Sequence, residues 1–335
     1  MIRLALTLII ACVLYVDSLS VARSLIVNGK GGGHVAIGYH LAKELNSKGH
    51  EVTILQNCDV DNNKVPFSSY SSLDAEIVTM PFDDDFEYPF KAQFDFVFDN
   101  NSKSPDGPVE SALLAAKPAK QRYTFVGSAG IYEKPSSHPH NIPLDESMPT
   151  NGEKGAAQFE AALTSTDIPH IIFRCQYIYG PLCPKHYLDY YTYRINNNLP
   201  VPIPAPGTQL VSLTDVRDVA EQLGKVVDAL PPSGSIFNTG TFNDLKHNYI
   251  DVANLIGKGL GKTPEVKLYD PDVKTDFPFR AKEFFVKSGK SVKELSFSGG
   301  SQTLEGFLGE LVSSFESRSP NIDTSKDAGV LKAGV

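Results

Sequence analysis

The stretch of sequence that decides the fold is SLIVNGKGGGHVAIGYHLAKELNSKGHEVTIL, residues 24–55. It opens with Leu25-Ile26-Val27, a short apolar run typical of a buried parallel strand. A glycine-rich turn follows, then apolar residues at helical spacing from Ile37 to Leu45, and then a second apolar run at Val52–Leu55. A strand, a turn, a helix and a strand within about thirty residues form one right-handed crossover unit. The stretch therefore predicts the first unit of a parallel α/β sheet.

The chain as far as Gly180 continues this alternation of strands and helices. The alternation predicts a Rossmann-type, doubly wound parallel sheet with helices on both faces. Beyond Gly180 the pattern loosens, which indicates a smaller C-terminal α/β lobe. The further strands predicted for the sheet are Glu76–Met80, Phe94–Asp99, Tyr123–Val126 and His170–Phe173, with helices around Val109–Ala116 and Gly155–Leu163.

The predicted organisation has four parts. A targeting segment covers residues 1–20, and a Rossmann-like domain covers 23–180 and shares parts of 205–245. A smaller lobe, in which we expect the substrate or other ligand to bind, covers 181–316, and a flexible tail covers 317–335. The hydrophobic fraction of 41% in 335 residues is enough to bury a core, which excludes a mainly disordered chain.

The N-terminal segment consists of a basic start, Arg3, followed by an apolar run of about twelve residues. These features are typical of a signal peptide, and the alternative is a retained membrane anchor. Without the segment, three cysteines remain, Cys58, Cys175 and Cys183, with no CxxC spacing. An odd number argues against a disulfide framework and against secretion as the end point. We therefore expect import into an organelle.

The overall charge does not point to nucleic acid. The formal net charge is −8 and the isoelectric point is about 5.5, so any affinity for RNA has to come from a local basic face. The sequence contains no HExxH motif, no Cys/His zinc spacing and no Walker loop. We therefore predict no set of metal-ligating residues.

The glycine-rich turn matches the dinucleotide-binding fingerprint only in part. Taking every third position back from Gly38 gives Gly32-x-x-Val35-x-x-Gly38. Val35 therefore stands where the middle glycine of the fingerprint would let the pyrophosphate approach the backbone. Gln56 stands where an acidic residue would bind the ribose. The alternatives are functional NAD(P) binding and a loop kept for fold geometry alone. The candidate residues of this vestigial NAD(P) site are Gly31, Gly32, Gly33 and Gly38.

Several motifs resemble those of a known superfamily. SAGIY at 128–132 and YIYGP at 177–181 resemble the extended short-chain dehydrogenase/reductases and sugar-nucleotide epimerases. FDFVFDNN at 94–101, PVPIP at 200–204 and FPFRAKEFF at 277–285 are similar to one branch, the chloroplast stem-loop-binding proteins, which are atypical members that bind RNA. The chain departs from that branch at two positions, with Glu283 in place of histidine and Phe297 in place of tryptophan.

The resemblance also shows which redox residues are missing. Oxidoreductases of the superfamily use a tyrosine and a lysine one helical turn apart, because the lysine lowers the tyrosine pKa for proton transfer. Aligning Glu160 with the family's helix glutamate puts Gly152 in the tyrosine slot and Ala156 in the lysine slot. Ser128 is the only retained position of the catalytic set, either as a substrate-orienting group or as a turn hydroxyl. We therefore expect no standard oxidoreductase activity, and the catalytic residues stay unknown.

Positive charge is concentrated in the second lobe. Nine lysines and arginines fall within the 36 residues from Lys258 to Lys293, interrupted by acidic residues that include Glu283. They form either a solvated surface over buried phenylalanines or a face for RNA phosphates, and the resemblance favours RNA. The candidate RNA-binding residues are Lys274, Arg280, Lys282 and Lys287.

The resemblance implies a protein of the plastid stroma that binds mRNA and rRNA stem-loops and supports plastid RNA stability, translation or transcription. The resemblance also implies a divalent-metal-dependent endoribonuclease activity with Mg²⁺. The partners that it implies are ribosomes or the plastid RNA polymerase, and the protein would form homo- or hetero-oligomers. No stable membrane span is expected after processing. Two alternatives stay open: an NAD(P)-dependent sugar-nucleotide epimerase or reductase with displaced catalytic groups, and a scaffold that binds neither ligand.

Overall fold

The structure is a computed structural model, which describes residues 21–29, 34–185, 187–240, 247–300, 302–318, 322 and 325–332. The targeting segment predicted over 1–20 lies outside the described residues. In the described ranges no helix is both long and apolar enough to cross a membrane. The strands are β1 Arg23–Asn28, β2 Glu51–Asn57, β3 Ala75–Met80, β4 Phe94–Asn100, β5 Ala119–Ser128, β6 His170–Cys175, β7 Ile178–Tyr179, β8 Val201–Pro204, β9 Leu210–Val211, β10 Thr214–Asp215, β11 Ser235–Thr239, β12 His247–Asn248 and β13 Val266–Tyr269. The α-helices are α1 Val35–Ser47, α2 Pro108–Ala116, α3 Gly155–Thr164, α4 Asp189–Asn196, α5 Val216–Ala229, α6 Tyr249–Leu260, α7 Gly289–Glu294, α8 Leu304–Arg318 and α9 Ala328–Lys332.

The central element is a seven-stranded parallel sheet with the strand order β11-β6-β5-β4-β1-β2-β3. Successive residues of β1 point to opposite faces, so Ile26 packs into one core and Leu25 and Val27 pack into another. Helices α1 and α5 cover the first face, and α2 and α3 cover the second. The predicted Rossmann-type, doubly wound class is therefore confirmed.

The chain after Gly180 contributes to both parts of the molecule. Strand β11 pairs with β6 at the edge of the central sheet, and helix α5 packs beneath that sheet. Strands β8 and β13 pair in parallel, and helices α4, α6 and α8 pack around a separate core rich in tyrosine and phenylalanine. This second core is the smaller lobe.

Part of the segment expected as a flexible tail over 317–335 is folded. Residues Ser325–Asp327 form a 3₁₀ turn that leads into α9. The Asp327 carboxylate is fully buried, 2.5 Å from the Arg194 guanidinium and 3.0 Å from both the Tyr190 hydroxyl and the Asp276 amide nitrogen. The structure differs from the expectation because this polar segment supplies the counter-charge to a buried arginine, which its composition alone does not reveal.

Candidate functional site

The glycine positions of the vestigial cofactor loop divide into two groups. Gly31, Gly32 and Gly33 lie outside the described residues. Gly38 lies inside α1, where a β-carbon would stand 2.9 Å from the amide atoms of Asn28. Gly38 therefore allows the helix to approach the first strand closely.

Asn28 ends β1 at the sheet edge where doubly wound folds bind their ligands. Its amide nitrogen donates to the Val35 carbonyl oxygen at 3.3 Å and to the Tyr70 hydroxyl. Its amide oxygen accepts from Asn100 Nδ2 at 2.7 Å, and the same Asn100 nitrogen donates to the His34 carbonyl oxygen at 2.9 Å. The polar side chains at this edge of β1 and β4 thus bind one another and the start of α1.

His34 stands at the N-cap of α1, beside the same edge. Burial, the largest cause, and the nearby ammonium groups of Lys185 and Lys103 together lower the pKa of its imidazole to about 4. The ring is therefore neutral at pH 7. The Lys185 ammonium also lies 4.6 Å from the centre of the Tyr187 ring.

The superfamily's catalytic positions form no proton-transfer group. The Ser128 hydroxyl oxygen accepts a hydrogen bond from the Gly130 amide at 3.1 Å and so closes the turn after β5. Gly152 lies in the loop before α3, and Ala156 lies in the first turn of that helix. The hydroxyl of Tyr132 is held by Asn238 at 2.7 Å, and burial raises its pKa to about 12. Neither Ser128 nor Tyr132 is arranged to supply a phenolate or alkoxide at neutral pH.

The four candidate RNA-binding residues take different positions. Arg280 stacks its guanidinium 3.6 Å over the centre of the Phe284 ring and donates from Nη2 to the Gly130 carbonyl oxygen at 3.0 Å. Lys282 is exposed and forms an ion pair of 2.9 Å with Asp272. Lys274 lies on an exposed loop after β13, and Lys287 is half-buried just before α7. Arg280 and Lys282 line the same cleft, whereas Lys274 and Lys287 are not part of its lining.

Arg280 and Lys282 line a cleft of about 740 Å³, here called the lobe cleft. Three chain segments form it, 134–141, 205–209 and 280–284, with Pro271 at one side. The structure adds Lys134, His138, His140 and Gln209 to the lining.

Glu283 holds these segments together from beneath. Only 8% of the residue is exposed, so its carboxylate acts from within the fold and is not, as its position in the sequence suggested, one of the exposed charges. Its Oε1 lies 3.3 Å from Lys134 Nζ and accepts from the Asn141 amide at 3.1 Å. Its Oε2 accepts from the Leu210 amide at 3.4 Å. One buried carboxylate therefore joins the 134–141 loop to the lobe.

A family model for the NAD dependent epimerase/dehydratase family matches residues 31–240, more than half of the chain. The chain belongs to this family. Within the epimerase/dehydratase family, it is 29% identical over 308 residues to the chloroplast stem-loop binding protein of 41 kDa b from Arabidopsis thaliana. The match covers 88% of this chain and 79% of that protein. The resemblance predicted from the sequence motifs is confirmed.

Solved structures of epimerases and dehydratases share the fold. UDP-glucuronic acid 4-epimerase from Bacillus cereus, in complex with NAD, aligns with a TM-score of 0.66 at 15% identity. The alignment covers 89% of this chain and 100% of that one. dTDP-glucose 4,6-dehydratase from Bacillus anthracis, also in complex with NAD, aligns with a TM-score of 0.65 at 15% identity. The alignment covers 88% of this chain and 97% of that one. An epimerase from Methanothermobacter thermautotrophicus aligns with a TM-score of 0.65 at 17% sequence identity. The alignment covers 89% of this chain and 93% of that one. At such identities the likeness shows the fold alone.

The family's cofactor fits the residues of this member only at one end. Gln56 is the penultimate residue of β2, near the position where the fingerprint places the ribose-binding residue, and its buried Oε1 accepts no hydrogen bond from the described residues. An acceptor for a ribose hydroxyl is thus retained. Gly152 and Ala156 leave the nicotinamide end without a proton donor. In the described ranges, no group of three or more His, Cys, Asp or Glu side chains could hold a metal ion.

Proposed function

We propose that this protein binds stem-loop RNA in plastids, on an epimerase/dehydratase fold that has lost its redox reaction. The observation that carries the proposal is the similarity to a chloroplast stem-loop binding protein over 88% of the chain. The replacement of the tyrosine and lysine by Gly152 and Ala156 supports it, because the ancestral chemistry has no proton-transfer pair.

The lobe cleft is the surface that suits this function. Lys134, Arg280 and Lys282 line it, and Glu283 is the acidic residue of the lining. A local excess of positive charge is what an acidic protein needs in order to bind phosphates. Lys274 and Lys287 lie outside this lining and contribute to phosphate binding at longer range.

The finer parts of the proposal follow the same relative. We propose the plastid stroma as the location, mRNA and rRNA stem-loops as ligands, and the ribosome or the plastid RNA polymerase as assemblies in which an oligomer acts. Endoribonuclease activity with Mg²⁺ is a further part of the proposal, with no residue assigned to it.

A salt-titrated RNA-binding assay on residues 21–335 tests the proposal. Reversing the charges of Arg280 and Lys282 to glutamate should remove about 0.7–0.9 from the salt slope for each lost phosphate contact. The matched control reverses Lys43 and Lys91, two exposed lysines of the first domain, and should leave affinity nearly unchanged. Absence of salt-dependent RNA binding by the unmodified protein would contradict the function.

The second candidate function is that of a sugar-nucleotide enzyme dependent on NAD(P). It is favoured by the family model and by the unpaired acceptor of Gln56. NAD(P)H binding and turnover with nucleotide sugars, measured on the same preparation, decide between the two candidates.

A further inference from the structure

We infer that the lobe cleft receives a single unpaired nucleotide of the bound RNA, with the base against Arg280 and the phosphate between Lys134 and Lys282. The inference rests on the proposed RNA-binding function. It goes beyond that function by naming the part of the RNA that is recognised and the atoms that recognise it.

The dimensions of the lobe cleft suit one nucleotide. Its volume of about 740 Å³ lies in the range of small-ligand sites, roughly 300–1,000 Å³. A paired duplex is too wide for such a cleft, whereas a base splayed out of a loop can enter it. RNA-binding proteins commonly recognise loop bases in this way, by stacking them on aromatic rings or on arginine guanidinium planes.

Arg280 provides a fixed stacking surface. One face of its guanidinium covers the Phe284 ring at 3.6 Å, and its Nη2 is hydrogen-bonded to the Gly130 carbonyl oxygen at 3.0 Å. Its backbone nitrogen donates to the Tyr177 hydroxyl at 3.0 Å. A guanidinium held in one orientation loses little side-chain entropy when a base stacks on its other face.

Gln209 supplies an unpaired acceptor in the same cleft. Its Nε2 donates to the carbonyl oxygens of Pro204, Ala205 and Ala281 at 3.1, 2.9 and 3.0 Å, which fixes the orientation of the amide. Its Oε1 is buried and accepts no hydrogen bond within the described part of the chain. Each RNA base carries N–H donors on its Watson–Crick edge, so a base in the cleft can satisfy this oxygen.

The two lysines flank this position. Lys134 donates to the backbone carbonyl oxygen of Glu283 at 3.1 Å, close to the 280–284 segment that carries the arginine. Lys282 is paired only with Asp272 within the described residues, and both side chains are highly exposed, at 78% and 75%. Exposed pairs of this kind stabilise a protein only weakly, so a phosphate can take the place of Asp272 at little cost.

The absence of tryptophan from the sequence makes a direct test available. Ser136 is exposed and lines the cleft, so Ser136→Trp puts a single fluorescent ring there. Ile77→Trp, on strand β3 at the far edge of the sheet, is the matched control. The probes are a stem-loop RNA with an unpaired loop, a blunt duplex of the same length, and the mononucleotides UMP and AMP.

We expect the stem-loop to quench the Ser136→Trp fluorescence at least twofold more than the duplex does, with no change in the fluorescence of the Ile77→Trp control. A second variant, Thr208→Tyr, fills the exposed rim of the cleft and should weaken stem-loop binding about tenfold while leaving duplex binding unchanged. Thermal unfolding of all three variants checks that they fold.

Three results would overturn the inference. If the stem-loop binds with normal affinity but neither quenches Ser136→Trp nor responds to Thr208→Tyr, the cleft is not the base site, and the proposed function stands. If mononucleotides quench as strongly as the RNA and the RNA does not compete, the cleft serves free nucleotides. If no RNA binds to any form of the protein, the proposed function fails together with the inference.

Discussion

A β-carbon on Gly38 would lie 2.9 Å from the side-chain amide of Asn28. The glycine that ends the fingerprint thus makes room for an asparagine that links the first strand to the start of helix α1 and to Tyr70. In this member the glycine serves the packing of helix against strand, which requires no cofactor.

Gly38→Ala should therefore destabilise the fold by about 1–3 kcal/mol, because the added methyl group forces Asn28 out of its hydrogen bonds. The measurement is the free energy of unfolding in urea. In an Asn28→Ala background the same substitution should cost much less. If Gly38→Ala lowers the free energy of unfolding equally with and without Asn28→Ala, the added methyl group does not act by crowding Asn28.

Ser128→Ala should cost about 1 kcal/mol of stability, as expected for the loss of a capping hydroxyl, and should change no redox activity. The unmodified protein should not oxidise NAD(P)H in the presence of nucleotide sugars, since Gly152 and Ala156 supply no proton-transfer pair. Absorbance of the reduced cofactor follows the reaction. Turnover that is abolished by Lys154→Ala would reveal a displaced catalytic lysine.

Glu283→Gln should raise RNA affinity and lower stability together. The amide no longer neutralises Lys134, so the full charge of this lysine acts on the RNA phosphate and the salt slope should steepen by somewhat under one unit. The buried hydrogen bonds to the Asn141 and Leu210 amides weaken, at a cost of about 1–3 kcal/mol. Glu133→Gln removes the same charge from an exposed neighbour and is the control. Unchanged RNA affinity in both variants would place the RNA away from Lys134.

The neutral imidazole of His34 predicts a loss of stability in acid. Its pKa is about 4 in the folded protein, below its ordinary value of 6.5, so the unfolded chain binds the proton first. The contribution of His34 is complete above pH 6.5 and is lost as the pH falls towards 4, by up to about 3 kcal/mol. The unfolding free energy of His34→Asn should vary less over this window than that of the unmodified protein. His140→Asn, at a 91% exposed side chain, should follow the unmodified protein.

The buried Asp327 carboxylate should contribute far more to the free energy of unfolding than the exposed Lys326 beside it. Asp327→Ala leaves the Arg194 guanidinium buried without a counter-charge and should cost about 3–5 kcal/mol. Lys326→Ala removes an exposed ion pair with Asp276 and should cost less than about 1 kcal/mol. Urea unfolding measures both. Similar costs for the two variants would mean that the buried pair contributes little.

The sheet could be predicted from the sequence because buried parallel strands are continuous apolar runs. The predicted strand Phe94–Asp99 is one residue shorter than β4, and Glu76–Met80 is one residue shorter than β3. Strand β5 begins at Ala119, four residues before the predicted Tyr123, because Lys120, Gln121 and Arg122 interrupt the apolar pattern. Local composition therefore predicted the elements but not every boundary.

The lobe cleft could not be predicted in the same way. Arg280 and Gly130 are 150 residues apart in sequence, and Lys134 and Glu283 are 149 apart. Their contacts depend on how the lobe packs against the turn after β5, which no local pattern encodes. The charge count pointed to all four basic residues equally, and counting alone could not show that Arg280 and Lys282 are the two of these four that line the cleft, or that Glu283 is buried.

The ion pair between Arg194 and Asp327 also bears on the order in which the protein folds as it is synthesised. The central sheet has all seven strands once β11 has emerged at Thr239, and domains generally fold in sequence from the N-terminal side. Arg194 cannot form its buried ion pair until Asp327, 133 residues further along the chain, has been synthesised. Because Asp327 also fixes the backbone of Asp276, four residues before Arg280, the nascent chain can carry a finished sheet while its smaller lobe is still incomplete. The lobe cleft is therefore completed late in the protein's own translation.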